Sequence, residues 1–466
     1  MVFVHQIDFT CETPKMLLKS SIAQNSQGKG VLPPDRKGNG MRAFERLLQY
    51  VQVHTSSTEA REGTPSTERQ RDFAKLLEQE MTGMGFTGVS VDNHAYVYGT
   101  LPATPGLESV PAIALIAHLD TIPDEDYPGF GVKPQLIRNY QGGAVALGDS
   151  GRVLDPEMFP DLAGCIGHTL MTTDGTTVLG ADDKAGIAEI LTACEDLIRE
   201  RIPHGRIEVC FTPDEEIGHG AALLSLERLN AAFGYTVDGG DVSELNSETF
   251  HAAGADVRFH GVNVHPGEAK GKMRNASLVA MEFHAMLPSG DQPALTEGYE
   301  GFYHLTSMRG DVESAELHYI IRDHDSAVFQ ARLGIMEHAA EVLNERHGEG
   351  TVMLEFRSQY RNMNEILSQV PEVLTRAEKA VIAAGLNPKH VPVRGGTDGS
   401  QLSFRGLPCP NLGTGGAGFH GPYEHITAEN MELAVSVLKN LVSLRDETGN
   451  GNCDTILSRS LTSREI

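Results

Sequence analysis

Histidine and acidic residues directly follow three apolar runs of this sequence, a placement that suits metal-dependent hydrolysis. The run IALIA leads into His118-Leu119-Asp120, the run IEVCFT into Pro213-Asp214-Glu215-Glu216, and the run YTV into Asp238-Gly239-Gly240. Continuous apolar runs are typical of strands that are buried on both faces. Because ligands bind beyond the carboxyl ends of such strands in open α/β sheets, we expect these side chains to share one site.

Two further segments carry candidates for the same site. Asp182 and Asp183 stand at the start of an amphipathic segment, and His420 lies in the late phrase GFHGP. Taken singly, each candidate has a structural explanation, since an aspartate pair often caps a helix, an acidic run is often a solvated loop and Asp-Gly is a turn signal. Independent caps and turns need not all follow buried strands, so the joint placement favours one shared site.

A cluster of imidazoles and carboxylates without cysteine has the donor chemistry that zinc, manganese and cobalt ions accept. In His118-x-Asp120, the outer carboxylate is suited to hold the second ring nitrogen of the histidine. Glu215 and Glu216 are adjacent and cannot both face one ion in the same way. One glutamate would bind metal, and the other would act as general base towards a water molecule.

The elements that must position these residues alternate between strand and helix. Between the runs IALIA and IEVCFT lies a helical stripe of apolar residues, namely Ile187, Ile190, Leu191, Cys194, Leu197 and Ile198. Buried strands separated by such helices predict an α/β domain with a mixed, largely parallel sheet flanked by helices.

The pattern changes after about residue 248. Strands there alternate apolar and polar positions, as in the apolar set Ala315, Leu317, Tyr319 and Ile321. Helices are expected at 276–286 and 326–346. This pattern predicts an inserted α+β domain with one solvated sheet face, which would act as a lid.

These changes of pattern give the expected domain boundaries. The catalytic domain would comprise residues 41–248 and 362–445, and the lid would comprise residues 249–361. Residues 1–40 are interpreted as a disordered extension, and residues 446–466 as a polar, disordered tail.

The composition excludes some partners. Lys and Arg total 38 against 63 Asp and Glu, which gives a formal net charge of -25. That field repels phosphate backbones, so nucleic acid is not expected as a partner. No apolar stretch approaches the roughly 18–20 residues that span a bilayer, and none is typical of a secretory signal. Six cysteines without CxxC spacing favour a reducing compartment, which predicts a cytoplasmic protein.

Longer phrases around these residues resemble the peptidase T family, the tripeptide aminopeptidases of a two-zinc superfamily that also contains glutamate carboxypeptidases. HLDT and TPDEEIG occur throughout the superfamily, whereas TEGYEGFYHL and RGGTDGSQLSF are more specific to peptidase T. The other matching phrases are LGADDKAGIAEI, TVDGG, NVHPGEAKGKM, HYIIRD and LPCPNL. The resemblance covers about residues 41–445 and implies a zinc-exopeptidase-like catalytic domain.

The resemblance also implies a metal centre with two zinc ions per chain, for which cobalt or manganese could substitute. His118 and Asp238 would hold one ion, Glu216 and His420 would hold the other, and Asp182 would bridge them.

Four further roles follow from the resemblance. Glu215 would be the general base, and Asp120 would orient the imidazole of the metal ligand in front of it. His265, in the inserted domain, would stabilise the oxyanion after closure. Arg394 would bind the carboxylate of the peptide. The implied substrates are short peptides, chiefly tripeptides, and a homodimer is left open.

Other hydrolases of the same superfamily remain as alternatives, namely a dipeptidase, a deacylase or a carboxypeptidase. A non-catalytic metal-binding scaffold is a further alternative, but a scaffold needs no extra glutamate such as Glu215 beside a complete ligand set. The sequence departs from the family at a glycine-rich loop over 413–418, at Pro422 and at His324. These departures leave the implied metal ligands intact and concern substrate preference.

Overall fold

The computed structural model describes residues 40–443. The extension predicted over residues 1–40, except its last residue, and the tail predicted over 446–466 lie outside the described residues. The strands are β1 Thr87–Val91, β2 Val97–Leu101, β3 Ile113–His118, β4 Gln135–Ile137, β5 Val145–Ala146, β6 Val153–Leu154, β7 Leu170–Thr172, β8 Ile207–Thr212, β9 Phe233–Gly239, β10 Glu244–Asn246, β11 His251–His260, β12 Phe302–Gly310, β13 Ser314–Asp323, β14 Val352–Tyr360, β15 Lys389–His390, β16 Asn411–Gly413, β17 Gly416–Ala417 and β18 His425–Thr427. The α-helices are α1 Ala43–Tyr50, α2 Glu68–Met84, α3 Ala181–Glu200, α4 Leu226–Leu229, α5 Ala276–Met286, α6 Ser326–His347, α7 Asn364–Leu367, α8 Pro371–Ala383, α9 Asp398–Phe404 and α10 Ala428–Ser443.

The main sheet has the strand order β1-β2-β8-β3-β9-β16-β10-β15. Its four central strands, β8, β3, β9 and β16, run parallel, and antiparallel pairs lie towards the edges. Every residue of β3 and β8 is buried, as their continuous apolar sequences predict. The predicted mixed, largely parallel α/β sheet is therefore confirmed.

Helices cover both faces of this sheet. Ile113, Leu115 and Ala117 of β3 pack into a core with α1, α2, α3, α8 and α10. The alternate residues Ala114 and Ile116 pack on the opposite face with residues of α4 and α9. This alternation explains why β3 contains no polar residue before His118.

A second, antiparallel sheet has the order β12-β13-β11-β14 and carries α5 and α6 on one face. The alternating residues Ala315, Leu317, Tyr319 and Ile321 all point into the core beneath these helices, as predicted. The chain enters this α+β unit through Thr249 and leaves it through Asn362. The two segments bind each other there, since the Thr249 N–H donates to Asn362 Oδ1 at 3.0 Å.

A small antiparallel sheet that the sequence did not predict has the order β17-β18-β7-β4. β17 and β18 flank the loop that carries His420, and β7 joins them to the segment between residues 135 and 172. These strands have two or three residues each, too few to give an alternating pattern in the sequence. Across residues 40–443, no helix has both the length and the apolar character that spanning a membrane requires.

Helix α3 is buried along most of its length between β3, α1 and α10. Glu189 lies in this buried part, and neither of its carboxylate oxygens has a hydrogen-bond partner among the described residues. Burial, with the nearby charge of Glu432 adding to it, raises the pKa of Glu189 well above its ordinary value. Folding therefore favours the protonated carboxyl at this position.

The protonated Glu189 makes a pH-dependent contribution to stability. This contribution is complete below the unfolded-state pKa of about 4.5 and is lost as pH rises through the higher folded-state pKa. We expect Glu189→Gln, which carries no charge at any pH, to gain stability relative to the wild type as pH increases from about 5 to about 8. Denaturant unfolding of the metal-free protein at both pH values would measure this difference.

Glu372→Gln is the matched control, because Glu372 is exposed on α8. The stability of the Glu372→Gln variant relative to that of the wild type should not change between the two pH values. A stability difference for Glu189→Gln that is the same at both pH values would contradict the prediction.

Candidate metal centre

The carboxyl ends of the four central parallel strands meet at one place, and each leads to predicted site residues. β3 ends at His118, β8 leads into Glu215 and Glu216, β9 contains Asp238, and β16 leads through the glycine-rich loop to His420. The order of the strands thus brings together side chains from widely separated parts of the sequence. The expectation that these side chains share one site agrees with this geometry.

Asp182 lies between two imidazoles where α3 begins. Its backbone (φ -82, ψ 103) is not helical, and its peptide bond to Asp183 is cis. Its Oδ1 is 3.0 Å from Nε2 of His118, and its Oδ2 is 3.1 Å from Nε2 of His420. Each oxygen of this carboxylate therefore faces a different imidazole, which is the arrangement of a carboxylate that can serve two cations.

Asp238 and Glu216 extend this arrangement on its two sides. Oδ1 of Asp238 is 3.4 Å from Nε2 of His118, and Oε2 of Glu216 is 3.1 Å from Nε2 of His420. Two trios have ligand atoms that all lie within 4.8 Å of one another, namely His118 with Asp182 and Glu216, and His118 with Glu215 and Asp238. The structure thus brings all the predicted metal ligands into one cluster.

Crowding of buried acids changes the pKa values of the cluster. Burial, with the charge of Asp182 adding to it, raises the pKa of Glu216 to about 8. Burial also raises the pKa of Asp238 to about 6. Hydrogen bonds to Asp182 and Glu216 raise the pKa of His420 to about 11. Burial alone would raise the pKa of Asp182, but hydrogen bonds from His118 and His420 outweigh it and lower that pKa.

Divalent cations fit the chemistry of this cluster. Like charges held a few ångströms apart in a site of low dielectric constant repel strongly, and a cation removes that repulsion. The donors are carboxylate oxygens and imidazole nitrogens, a set that suits zinc, cobalt or manganese. Because each oxygen of Asp182 faces a different imidazole, this carboxylate can contact a cation on either side.

Asp120 holds the turn that carries the two glutamates. Its Oδ1 accepts the N–H of Glu215 at 3.0 Å, and its Oδ2 accepts the N–H of Glu216 at 3.2 Å. The ring nitrogen Nδ1 of His118 lies 3.0 Å from the carbonyl oxygen of Asp120 and 3.5 Å from its carboxylate. The nearer partner of the His118 ring is thus the Asp120 carbonyl, whereas the carboxylate, which the sequence predicts to hold that ring nitrogen, fixes the backbone of the glutamate pair.

Glu215 lies beside the metal ligands on this turn. It forms one of the trios with His118 and Asp238. Burial raises the pKa of Glu215 well above its ordinary value, and the charge of Asp238 adds to that effect. A carboxylate with increased basicity next to a metal centre is suited to accept a proton.

Two buried carboxylates that the sequence analysis did not assign also hold the backbone of the cluster. Oδ2 of Asp183 accepts the N–H of His118 at 3.0 Å. Glu424 accepts three backbone N–H groups at the start of α3. Both lie close in sequence to a predicted ligand, Asp183 next to Asp182 and Glu424 four positions after His420. This proximity in sequence was the signal from which their role could have been predicted. A buried carboxylate needs hydrogen-bond donors, and the backbone beside a ligand offers them.

His265 is not part of this cluster of contacting side chains. It is exposed in the inserted domain at the start of the short turn Pro266–Glu268, and its Nδ1 accepts the N–H of Gly267 at 3.2 Å. Within residues 40–443, no hydrogen bond or ion pair joins His265 to a predicted metal ligand.

Arg394 ties the inserted domain to the catalytic domain. Its Nη1 donates to the carbonyls of Gly298 and Glu300, both at 2.8 Å, and its Nη2 donates to the hydroxyl of Thr296 at 2.9 Å. The guanidinium also lies 5.2 Å from the ring of Phe250. Arg394 therefore joins the phrases RGGTDG and TEGYEG, and in this conformation its guanidinium is already hydrogen-bonded through both Nη atoms.

Arg322 is a second arginine near the domain boundary. It is 9% exposed, its Nη1 donates to the Ile321 carbonyl at 3.0 Å, and its guanidinium lies 5.2 Å from the ring of Tyr360. The ring of Tyr360 packs against Gly396 of the catalytic domain, so this pair lies at the boundary between the two domains. Among the ion pairs of the described chain, none includes Arg322. A buried guanidinium without a carboxylate partner can receive an anionic group of a ligand.

The sequence of this chain is similar to known peptidases over most of its length. The model of peptidase family M20/M25/M40 matches residues 178–444. Peptidase T of Shouchella clausii is 50% identical over 402 residues, which cover 86% of this chain and 97% of that protein.

Two solved structures share the fold. Aminopeptidase PepT from Bacillus cereus superposes with a TM-score of 0.68 and 24% identity, covering 86% of this chain and 97% of that one. A tripeptidase from Staphylococcus aureus also has a TM-score of 0.68, with 22% identity and the same coverage.

Proposed function

The chain belongs to the peptidase T family, within peptidase family M20/M25/M40, and we propose that it is a two-zinc aminopeptidase that removes the N-terminal residue of tripeptides. The observation that carries the proposal is Asp182, whose two oxygens face His118 and His420. A carboxylate in that position suits two cations side by side. The fold shared with an aminopeptidase and a tripeptidase supports the substrate class.

We assign one ion to His118, Asp182 and Asp238, and the other to His420, Asp182 and Glu216. When bound, the ions would act as Lewis acids on the scissile carbonyl and would lower the pKa of the attacking water. The raised pKa values of Glu216 and Asp238 support this assignment, because they show that burial disfavours the charged carboxylates and a bound cation would stabilise them.

Glu215 is the proton carrier of the proposed reaction. It accepts a proton from the attacking water and returns it to the nitrogen of the leaving peptide. Asp120 supports this role, because its carboxylate fixes the N–H groups of Glu215 and Glu216 and so sets the direction of both side chains.

Closure of the inserted domain, residues 249–361, belongs to the same proposal. His265 is exposed and away from the metal ligands in the described conformation. Rotation of the inserted domain would bring it towards the carbonyl oxygen, where its N–H would stabilise the developing negative charge.

The carboxylate end of the substrate has two candidate partners. Arg394 is the partner that the sequence predicts, but its guanidinium is occupied by the segment 296–300 in this conformation. Arg322 is buried, has no carboxylate partner in the described chain, and lies beside Tyr360 at the boundary with the catalytic domain. We therefore favour Arg322 as the carboxylate-binding residue.

The alternative within the family is a dipeptidase, deacylase or carboxypeptidase. These activities differ in which end of the substrate must be free and in the length of the substrate that they accept. A cytoplasmic location and a homodimer stay predictions of the sequence analysis.

A peptide series tests the proposed function. We expect the chelated protein to be inactive, and zinc to restore release of the N-terminal alanine from tri-alanine. Di-alanine and N-acetyl-alanine should be much poorer substrates. Di-alanine is one residue shorter than a tripeptide, and N-acetyl-alanine has no free amine. Preferential hydrolysis of either one would contradict the tripeptide assignment.

Glu215→Gln tests the proton carrier. The amide has nearly the volume of the carboxylate but cannot accept the proton, so we expect kcat to fall by about 10²–10⁴-fold with the zinc content unchanged. Glu227→Gln, at an exposed glutamate beyond the same turn, is the control and should keep full activity. Near-normal turnover by a zinc-loaded Glu215→Gln variant would refute the assignment.

Arg322→Met and Arg394→Met separate the two carboxylate partners. Loss of a charged hydrogen bond costs about 1.5–3 kcal/mol, so Arg322→Met should weaken kcat/KM for tri-alanine by about 10–100-fold. The same change should have little effect on tri-alanine amide, which lacks the carboxylate. Arg394→Met should affect the acid and the amide alike. If Arg394→Met instead abolished the preference for the acid, Arg394 would be the clamp that the sequence predicts.

A further inference from the structure

Glu424 holds the backbone of the segment that ends at Asp182. Its Oε2 accepts the N–H of Leu179 at 2.6 Å and that of Gly180 at 2.8 Å, and its Oε1 accepts the N–H of Asp182 at 2.9 Å. The residue is 1% exposed. Both oxygens of a fully buried carboxylate are therefore used on consecutive parts of one loop.

The local backbone explains why this loop needs an external acceptor. Gly180 has a left-handed conformation (φ 77), and Asp182 and Asp183 depart from helical geometry. The first N–H groups of a helix have no carbonyl acceptor within the helix and must find one elsewhere. Glu424 supplies that acceptor, so it fixes the peptide plane from which the Asp182 side chain leaves the backbone.

The same short turn also supplies a predicted ligand. His420 lies four residues before Glu424 and has a positive φ of 60. Its Nε2 is 3.1 Å from Oδ2 of Asp182, the oxygen on the far side from His118. One turn, residues 420–424, thus contributes His420 as a predicted ligand and also contributes Glu424, which binds the backbone of Asp182.

The two sides of the cluster differ in how much they depend on this turn. His118 and Asp238 lie on strands of the main sheet, and the His118 backbone is held by Asp183. His420 lies on a loop, and its side chain is 56% exposed. Loss of the Glu424 contacts would therefore disturb the His420 side much more than the His118 side.

We propose that Glu424 is a positioning residue that sets the orientation of Asp182 and thereby secures the ion on the His420 side of the metal centre. This inference rests on the proposed two-ion function and goes beyond it, because Glu424 is not one of the assigned ligands. A purely structural Glu424 would stabilise the fold without affecting one ion more than the other.

Zinc titration of the full chain by calorimetry, starting from chelated protein, tests the proposal. The wild type should bind two ions. Glu424→Gln retains one acceptor oxygen but presents an NH₂ group to the N–H groups on its other side, so we expect one ion to bind normally and the other at least about ten-fold more weakly. Glu424→Asp keeps the charge on a shorter side chain and should show the same selective loss to a smaller extent, which covers the case in which the glutamine variant does not fold.

Glu429→Gln is the matched control. Oε2 of Glu429 accepts the backbone N–H of Thr169 at 2.7 Å, so this variant also disturbs a carboxylate contact to a neighbouring main chain, but away from Asp182. It should lower stability and leave both zinc affinities unchanged.

The outcomes distinguish failure of the proposed role of Glu424 from failure of the proposed two-zinc function. Two normal sites in Glu424→Gln and Glu424→Asp, or the same selective loss in Glu429→Gln, would overturn the role of Glu424 alone. Fewer than two ions in the wild type would instead count against the proposed two-zinc function, and the inference would fall with it.

Discussion

Repulsion among buried carboxylates is the constraint on which the arrangement of this protein depends. Parallel strands with apolar sequences end together at one edge of the main sheet, and the acids that follow them are thereby forced into one place. Among the described residues of the cluster, His118 and His420 form the ion pairs that offset the charge of the acids. Such a cluster is stable when protons or cations occupy it, and the pKa values of Glu216 and Asp238, which are raised chiefly by burial, agree with that requirement.

Further acids surround the cluster and bind backbone N–H groups. Asp120 holds the glutamate turn, and Asp183 holds His118. Asp214 accepts the N–H and hydroxyl of Ser66 and so joins that turn to the start of α2. A carboxylate that accepts such bonds is stabilised in its place and restricts the loop that donates them. The ligand-bearing loops are therefore anchored by hydrogen bonds on the side that faces the core.

The sequence predicts the main sheet, the second sheet and the metal-centre residues for a clear physical reason. Burial on both faces leaves an uninterrupted apolar run, so the first histidine or acid after the run marks the end of the strand, as at His118. Contacts between distant segments leave no such mark. The three bonds of Glu424 to the start of α3 depend on the tertiary fold, and so does the tie between Arg394 and the segment 296–300. A motif indicates that Arg394 matters, but only the packing shows which groups it contacts.

The position of the domain boundary determines how far each residue of the inserted domain would move on closure. Thr249 and Asn362 bind each other where the chain crosses, and the Met363 N–H donates to the Thr249 hydroxyl at 3.1 Å, so both crossings form one buried attachment. Arg322 pairs with Ala252, close to this attachment, whereas His265 follows the far end of β11. A rotation about the attachment therefore moves Arg322 little and His265 much. On the proposed assignment, a substrate carboxylate would dock on Arg322 before closure, and the oxyanion contact from His265 would form only when the domain has closed over the bound peptide.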